Sequence, residues 1–198
     1  MIGRVVWPVF SSFRRFVMLF CLFLATDALA GAGIDLHHTM LREEAQLVVL
    51  DATLDVRLSA PAEEALSRGV PLTLEITTRV VRPRWWWWDA QEQEVVHQVS
   101  LRYHALSRRY VVQHQWDELT DNAAERRVFS RRDTALRAWG EIGAMPVMRR
   151  HALVDEDDRY LEVRARISIE ALPHPLRTVA YVSPEWRMVS DWTRLELP

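Results

Sequence analysis

The sequence predicts a mainly β fold: an antiparallel β-sandwich, immunoglobulin-like in general architecture, with two short helices. Three observations predict it. Apolar and polar residues alternate with a period of two over several stretches, turn residues separate those stretches at short intervals, and helical periodicity is confined to two places. The chain has 198 residues, 49% hydrophobic and 26% charged, with 6 Gly and 9 Pro. That supplies one core, leaves no room for two large domains, and excludes the disordered and collagen-like classes.

The first 30 residues read as a secretory leader. Arg4, Arg14 and Arg15 make a positive start, Phe16 to Ala25 form an apolar run of ten, and Ala28-Leu29-Ala30 places small residues where cleavage requires them, after Ala30. The apolar run falls short of the ~20 residues of a spanning helix, and no later stretch approaches that length. The mature chain, 31–198, is thus expected to be a single periplasmic domain without a transmembrane helix. Its only cysteine, Cys21, leaves with the leader, which removes disulfides, thiol catalysis and cysteine-bound metals together. The leader also takes Arg4, Arg14, Arg15 and Asp27, so 22 basic and 26 acidic residues remain. An acidic balance gives no reason to expect a nucleic-acid partner. All 25 basic residues are arginine, so lysine nucleophiles, Schiff bases and phosphate-loop lysines are excluded.

Three stretches read as strands with one buried face. Leu54, Val56 and Leu58 alternate with polar residues, as do Leu72, Leu74, Ile76, Thr78 and Val80, and then Leu161, Val163, Ala165, Ile167 and Ile169. The intervening Arg57, Arg79, Arg164 and Arg166 are expected in water, without partners. A helix over Pro61 to Arg68 has proline near its start and Gly69 past its end. A second follows Ser130 as N-cap with Asp133 at the capping-box position; Leu136, Trp139 and Ile142 share its buried face, and Gly143 is the expected terminator.

The central hairpin can be read to its register. Pairing Tyr103 with Tyr110, Leu101 with Val112, Val99 with His114 and His97 with Trp116 gives one apolar face. The other face then carries His104 with Arg109, Arg102 with Val111, Ser100 with Gln113 and Gln98 with Gln115. The turn from Ala105 to Arg108 lacks Gly and Asn, which favours a four-residue loop on a type I turn.

The candidate functional residues are Arg82, Arg84, Trp85, Trp86, Trp87, Trp88 and Asp89. Neighbouring side chains of an extended chain point to opposite faces, so two of the four indoles must leave whichever face forms the core. At ~150–250 Å² each, they would expose roughly 300–500 Å², about the largest apolar patch of a typical monomer. Either another part of the chain covers them, such as the stretch from Ile34 to Leu41, or a partner does. Trp and Arg are the residues most enriched where binding energy concentrates. Coplanar exposed rings would favour a glycan, an uneven patch a protein, and a deep pocket joining histidines to carboxylates would favour catalysis.

No catalytic residue, metal ligand or cofactor is assigned. His37 and His38 are adjacent and diverge in a strand, while His97 and His114 read as core histidines hydrogen-bonded to neighbours such as a tyrosine hydroxyl. The acidic run Asp155 to Asp158 lacks the glycine and ligand spacing of a calcium loop, and there is no Gly-x-Ser-x-Gly nucleophile turn.

Several segments resemble a family of secreted proteobacterial proteins, domain of unknown function 4390. They are Arg84 through Asp89, Leu101 through Ser107 with Tyr110, Ala135-Leu136 with Gly140, Leu172-Pro173 with Pro175-Leu176-Arg177, and Trp186, Ser190 and Trp192. The resemblance brings no activity or cofactor. Gene neighbourhoods of that family hold a membrane sensor kinase of the nitrogen-regulation type, which implies an envelope or inner-membrane protein as partner. The expectation is a non-enzymatic binding or accessory module that docks a protein through its Trp/Arg surface; the alternatives are a carbohydrate-binding module or an envelope-polymer hydrolase.

Overall fold

In a computed structural model the described residues are 31–82, 90–115, 125–150 and 159–197. The expected leader, Arg84 with the tryptophan quartet and Asp89, Trp116, and the acidic run at 155–158 lie outside them.

The first hairpin pairs β1 (Gly33–Glu44) with β2 (Leu47–Arg57) through the two residues Ala45 and Gln46, both at positive φ (45° and 73°). Two left-handed residues make the primed turn whose twist suits a tight hairpin, here without the usual Asn-Gly. The β2 side chains of Val48, Leu50, Ala52, Leu54 and Val56 are buried, as the alternation requires. Helix α1 (Ala60–Ser67) follows, and Gly69 at φ 83° turns the chain out of it. The large sheet is then built from β3 (Leu72–Arg82), β4 (Ala90–His104), β5 (Arg109–Gln115) and β6 (Arg126–Phe129). Helix α2 (Arg132–Gly140) runs directly into β7 (Glu141–Arg149), and the chain closes with β8 (Tyr160–Ile167), α3 (His174–Val182), a 3₁₀ turn at Pro184–Trp186 and β9 (Thr193–Glu196).

Every strand pair is antiparallel. One sheet has the order β1-β2-β7 and the other β6-β5-β4-β3-β8-β9, and one apolar core takes side chains from both. The two-sheet, mainly β arrangement is the one the alternation predicts. The strands divide three and six between the two sheets, which is consistent with a sandwich-like arrangement. The β4–β5 register is the predicted one from Gln98↔Gln115 to His104↔Arg109, with Ala105–Arg108 as the loop.

Two buried polar side chains each make a hydrogen bond across the interior. His97 Nε2 donates to the Pro146 carbonyl at 2.9 Å, tying β4 to β7, and Trp139 Nε1 donates to the Val99 carbonyl at 2.8 Å, tying α2 to β4. Both side chains are fully buried. Truncating a tryptophan so placed to alanine costs ~3–5 kcal/mol.

Four expectations need correction. Helix α2 ends at Gly140 and not at Gly143, because β2 passes so close that a Cβ on Gly140 would stand 2.1 Å from the Leu54 carbonyl oxygen. Ser130 does not cap that helix: Arg131 is the N-cap residue, no side chain caps it, and Ser130 Oγ instead accepts from Arg109 at 3.1 Å. A third helix, α3, is present: Pro175 suits its first turn, Ala180 is buried, and Val179, Tyr181 and Val182 are exposed. The outward arginines are not free in water. Arg79 Nε donates to Glu162 at 2.6 Å, Arg166 lies 3.1 Å from Glu75, Arg57 pairs with Asp35, and the Arg164 guanidinium sits 5.5 Å from the Trp192 ring centre.

Candidate functional site

Of the residues predicted to form the Trp/Arg surface, the structure describes Arg82. It ends β3, is half-buried, and pairs with Ala90, the first residue of β4. Arg84, the tryptophan quartet and Asp89 lie outside the described residues.

The outward face of the sheet beside Arg82 is made of guanidinium and ring stacking. Trp192 is half-exposed between Arg79, 3.9 Å from its ring centre, and Arg164. Arg194 lies 3.7 Å over the Tyr160 ring, and Tyr160 pairs with Val81 next to Arg82. Stacking of this kind contributes ~0.5–1 kcal/mol per exposed contact. Trp186, by contrast, is in the core. Trp186 and Trp192 have the same strand parity in sequence, but the 3₁₀ turn at Pro184–Trp186 and a single β-bridge from Val189 to Arg166 break the regular strand between them, and one ring is in the core while the other is at the surface.

A second constellation had no sequence signal. A groove of about 520 Å³ is lined by His38, Asp51, Thr53, His114, Glu125, Arg127 and Glu141, among others. Two bulges shape it. The β1–β2 register shifts between His37 and Thr39, with His38 at φ 27°, so both histidines are exposed instead of diverging to opposite faces. The β2–β7 register shifts between Leu50 and Ala52, with Ala144 at φ 48°. Asp51 stands at that second shift: its carboxylate accepts from Arg42 Nη2 and from the Ala144 amide, each at 3.0 Å. The Arg42 guanidinium, with help from that amide, holds the Asp51 carboxyl below the usual carboxylate range against the opposing effect of burial. On the far side His114 is almost wholly buried, and its burial pushes the imidazole pKa down, with Glu125 pulling the other way. Glu141 lies 3.9 Å from Arg127. Among the described residues, no group of three His, Cys, Asp or Glu side chains could hold a metal ion.

The sequence model of the family described as "Domain of unknown function (DUF4390)" matches residues 32–196. The chain belongs to the DUF4390 family. No curated protein and no solved structure matches it. The DUF4390 match covers every strand from β1 to β9, and several residues that carry the resemblance hold the fold. Tyr103 and Tyr110 stack across the hairpin with ring centres 4.7 Å apart, Gly140 admits the Leu54 carbonyl, Arg177 donates to the Leu172 carbonyl at 2.9 Å, and the Ala165 amide donates to Ser190 Oγ at 3.0 Å. Trp192 lies half-exposed at the surface.

Proposed function

We propose that this DUF4390 chain is an exported, periplasmic binding or accessory module that carries out no reaction and docks a protein partner through a Trp/Arg surface at the Arg82 end of the sheet. One observation carries the reading: Trp192, held between Arg79 and Arg164 on the outward face, is a half-exposed indole, and Arg79 stands three residues before Arg82 on β3. Aromatic and arginine side chains fixed in this way lose little entropy on binding. The groove supports the same reading by how its acids are engaged. Asp51 is kept ionised by Arg42 and Ala144, whereas a general acid needs a raised pKa.

The test is affinity capture from envelope extract with wild-type protein, a Trp86→Ala/Trp88→Ala variant and a Trp85→Ala/Trp87→Ala variant. Docking predicts that one double variant keeps its native circular dichroism and loses the captured protein. Both variants folded and still carrying the partner would overturn it.

A second reading, envelope-polymer hydrolysis, is favoured by the meeting of His114, Glu125 and Glu141 in one groove. It requires release of soluble fragments from purified envelope polymer, with loss of that release in Glu125→Gln.

A further inference from the structure

The arginines of the large sheet fall into two groups. Around β3 and β8 Arg79 pairs with Glu162 and Arg166 with Glu75 and Glu170, while Arg164 lies against the Trp192 ring. At the β4–β5–β6 end the outward positions hold Arg102, Arg109 and Arg126, with Arg108 in the β4–β5 turn, and all four are exposed. Arg109 reaches the Ser130 hydroxyl; Arg102, Arg108 and Arg126 pair with no carboxylate among the described residues. No acidic residue stands on the outward positions of β4 from Gln98 onward, of β5 or of β6. In a chain of net acidic charge, this is a local positive field on a flat surface.

The hairpin tip adds a different kind of group. Leu106 is completely exposed, at 105%, in the turn between Ala105 and Arg108, and Val128 on the same outward face is 52% exposed. Turn tips ordinarily carry Gly, Asn, Asp or Ser, which hydrogen-bond locally or tolerate positive φ. Here Arg108 takes the left-handed conformation, at φ 51°, and a leucine stands at the apex with arginines on its flank.

We propose that the β4–β5 hairpin tip and the adjoining outward arginines form a docking surface for an anionic lipid bilayer, with Leu106 entering the interface and Arg102, Arg108, Arg109 and Arg126 meeting lipid phosphates. Charge complementarity selects an anionic surface, and guanidinium groups bind phosphate with paired hydrogen bonds. The apical leucine selects a bilayer over a soluble acidic protein or polyanion, because an apolar side chain at a turn tip gains only where an apolar layer receives it. The tip stands fourteen residues along β4 from Ala90, about 45 Å at ~3.3 Å per residue. Membrane contact there would leave the Arg82 end directed away from the lipid.

The test is sedimentation of the cell-produced protein with vesicles of 30% phosphatidylglycerol in phosphatidylcholine, beside vesicles of phosphatidylcholine alone. Binding is expected to the anionic vesicles and to weaken as salt is raised. Arg102→Gln/Arg108→Gln/Arg126→Gln removes three guanidinium groups that hold no carboxylate, and is expected to weaken partitioning about a hundredfold. Leu106→Ser is expected to weaken it about tenfold. No binding of wild-type protein to anionic vesicles, or equal binding by the triple variant, would overturn the proposal. Heparin binding that survives Leu106→Ser, together with absence of vesicle binding, would overturn it in favour of a soluble polyanion.

Discussion

His97 and Pro146 join the two sheets through one hydrogen bond, from the imidazole Nε2 of β4 to the carbonyl of β7 at 2.9 Å. Replacing His97 by leucine fills the space but leaves that carbonyl buried without its donor. The expected cost is about 1–3 kcal/mol, read as a lower urea midpoint at unchanged slope, with His97→Gln recovering part of it.

Gly140 and Gly143 make a matched pair of substitutions. A Cβ on Gly140 meets the Leu54 carbonyl oxygen at 2.1 Å, whereas on Gly143 the nearest atom is Asp51 Oδ1 at 4.0 Å. Gly140→Ala is expected to cost about 1–3 kcal/mol or more, because backbone must move, and Gly143→Ala to stay within about 0.5 kcal/mol. Thermal unfolding of the two variants side by side checks the difference.

His114 gives the molecule a pH dependence of definite sign. Burial lowers its pKa from the ordinary ~6.5, so the unfolded chain takes up a proton at a higher pH than the folded one. Stability should therefore decline as pH falls through about 6.5, continuing until the folded-state pKa is passed, at no more than ~1.4 kcal/mol per pH unit from this residue. In urea titrations between pH 8 and 5, His114→Gln is expected to flatten that part of the profile. An unchanged slope in the variant would assign the dependence elsewhere.

Asp51 acts on the local bulge. Its lowered pKa means that its contribution is present above the ordinary carboxylate value of ~3.9 and is lost as pH falls through the lower folded value. Being half-exposed, the Arg42–Asp51 pair contributes little globally. The sharper readout is the Ala144 amide, which donates to Asp51: its hydrogen exchange is expected to accelerate in Asp51→Ala while amides of β3 and β4 are unaffected.

What could be read in the chain is what depends on near neighbours. The register from Gln98↔Gln115 to His104↔Arg109 follows from alternation on both strands, since a one-residue slip would turn Leu101 and Val112 outward. Gly69 ends α1 as a local αL residue does. The end of α2 was not legible, because the close approach to Leu54 is a tertiary contact that leaves no local mark. The groove was not legible either: His38, Asp51, His114 and Glu141 come from four strands, and two bulges that alternation cannot reveal bring them together. The pairing of Arg79 and Arg166 required knowing that β8 lies beside β3, which no property of either strand alone dictates.

The central claim is that this molecule works by docking at its Arg82 end and not by chemistry in the groove. The most direct measurement is the amount of envelope protein captured by equal quantities of wild-type protein, the two double tryptophan variants and His114→Gln, each checked for native circular dichroism. A folded tryptophan variant is expected to capture no partner, while His114→Gln is expected to capture as much as wild type. Retention by both folded tryptophan variants, with loss in His114→Gln, would contradict it and place function in the groove.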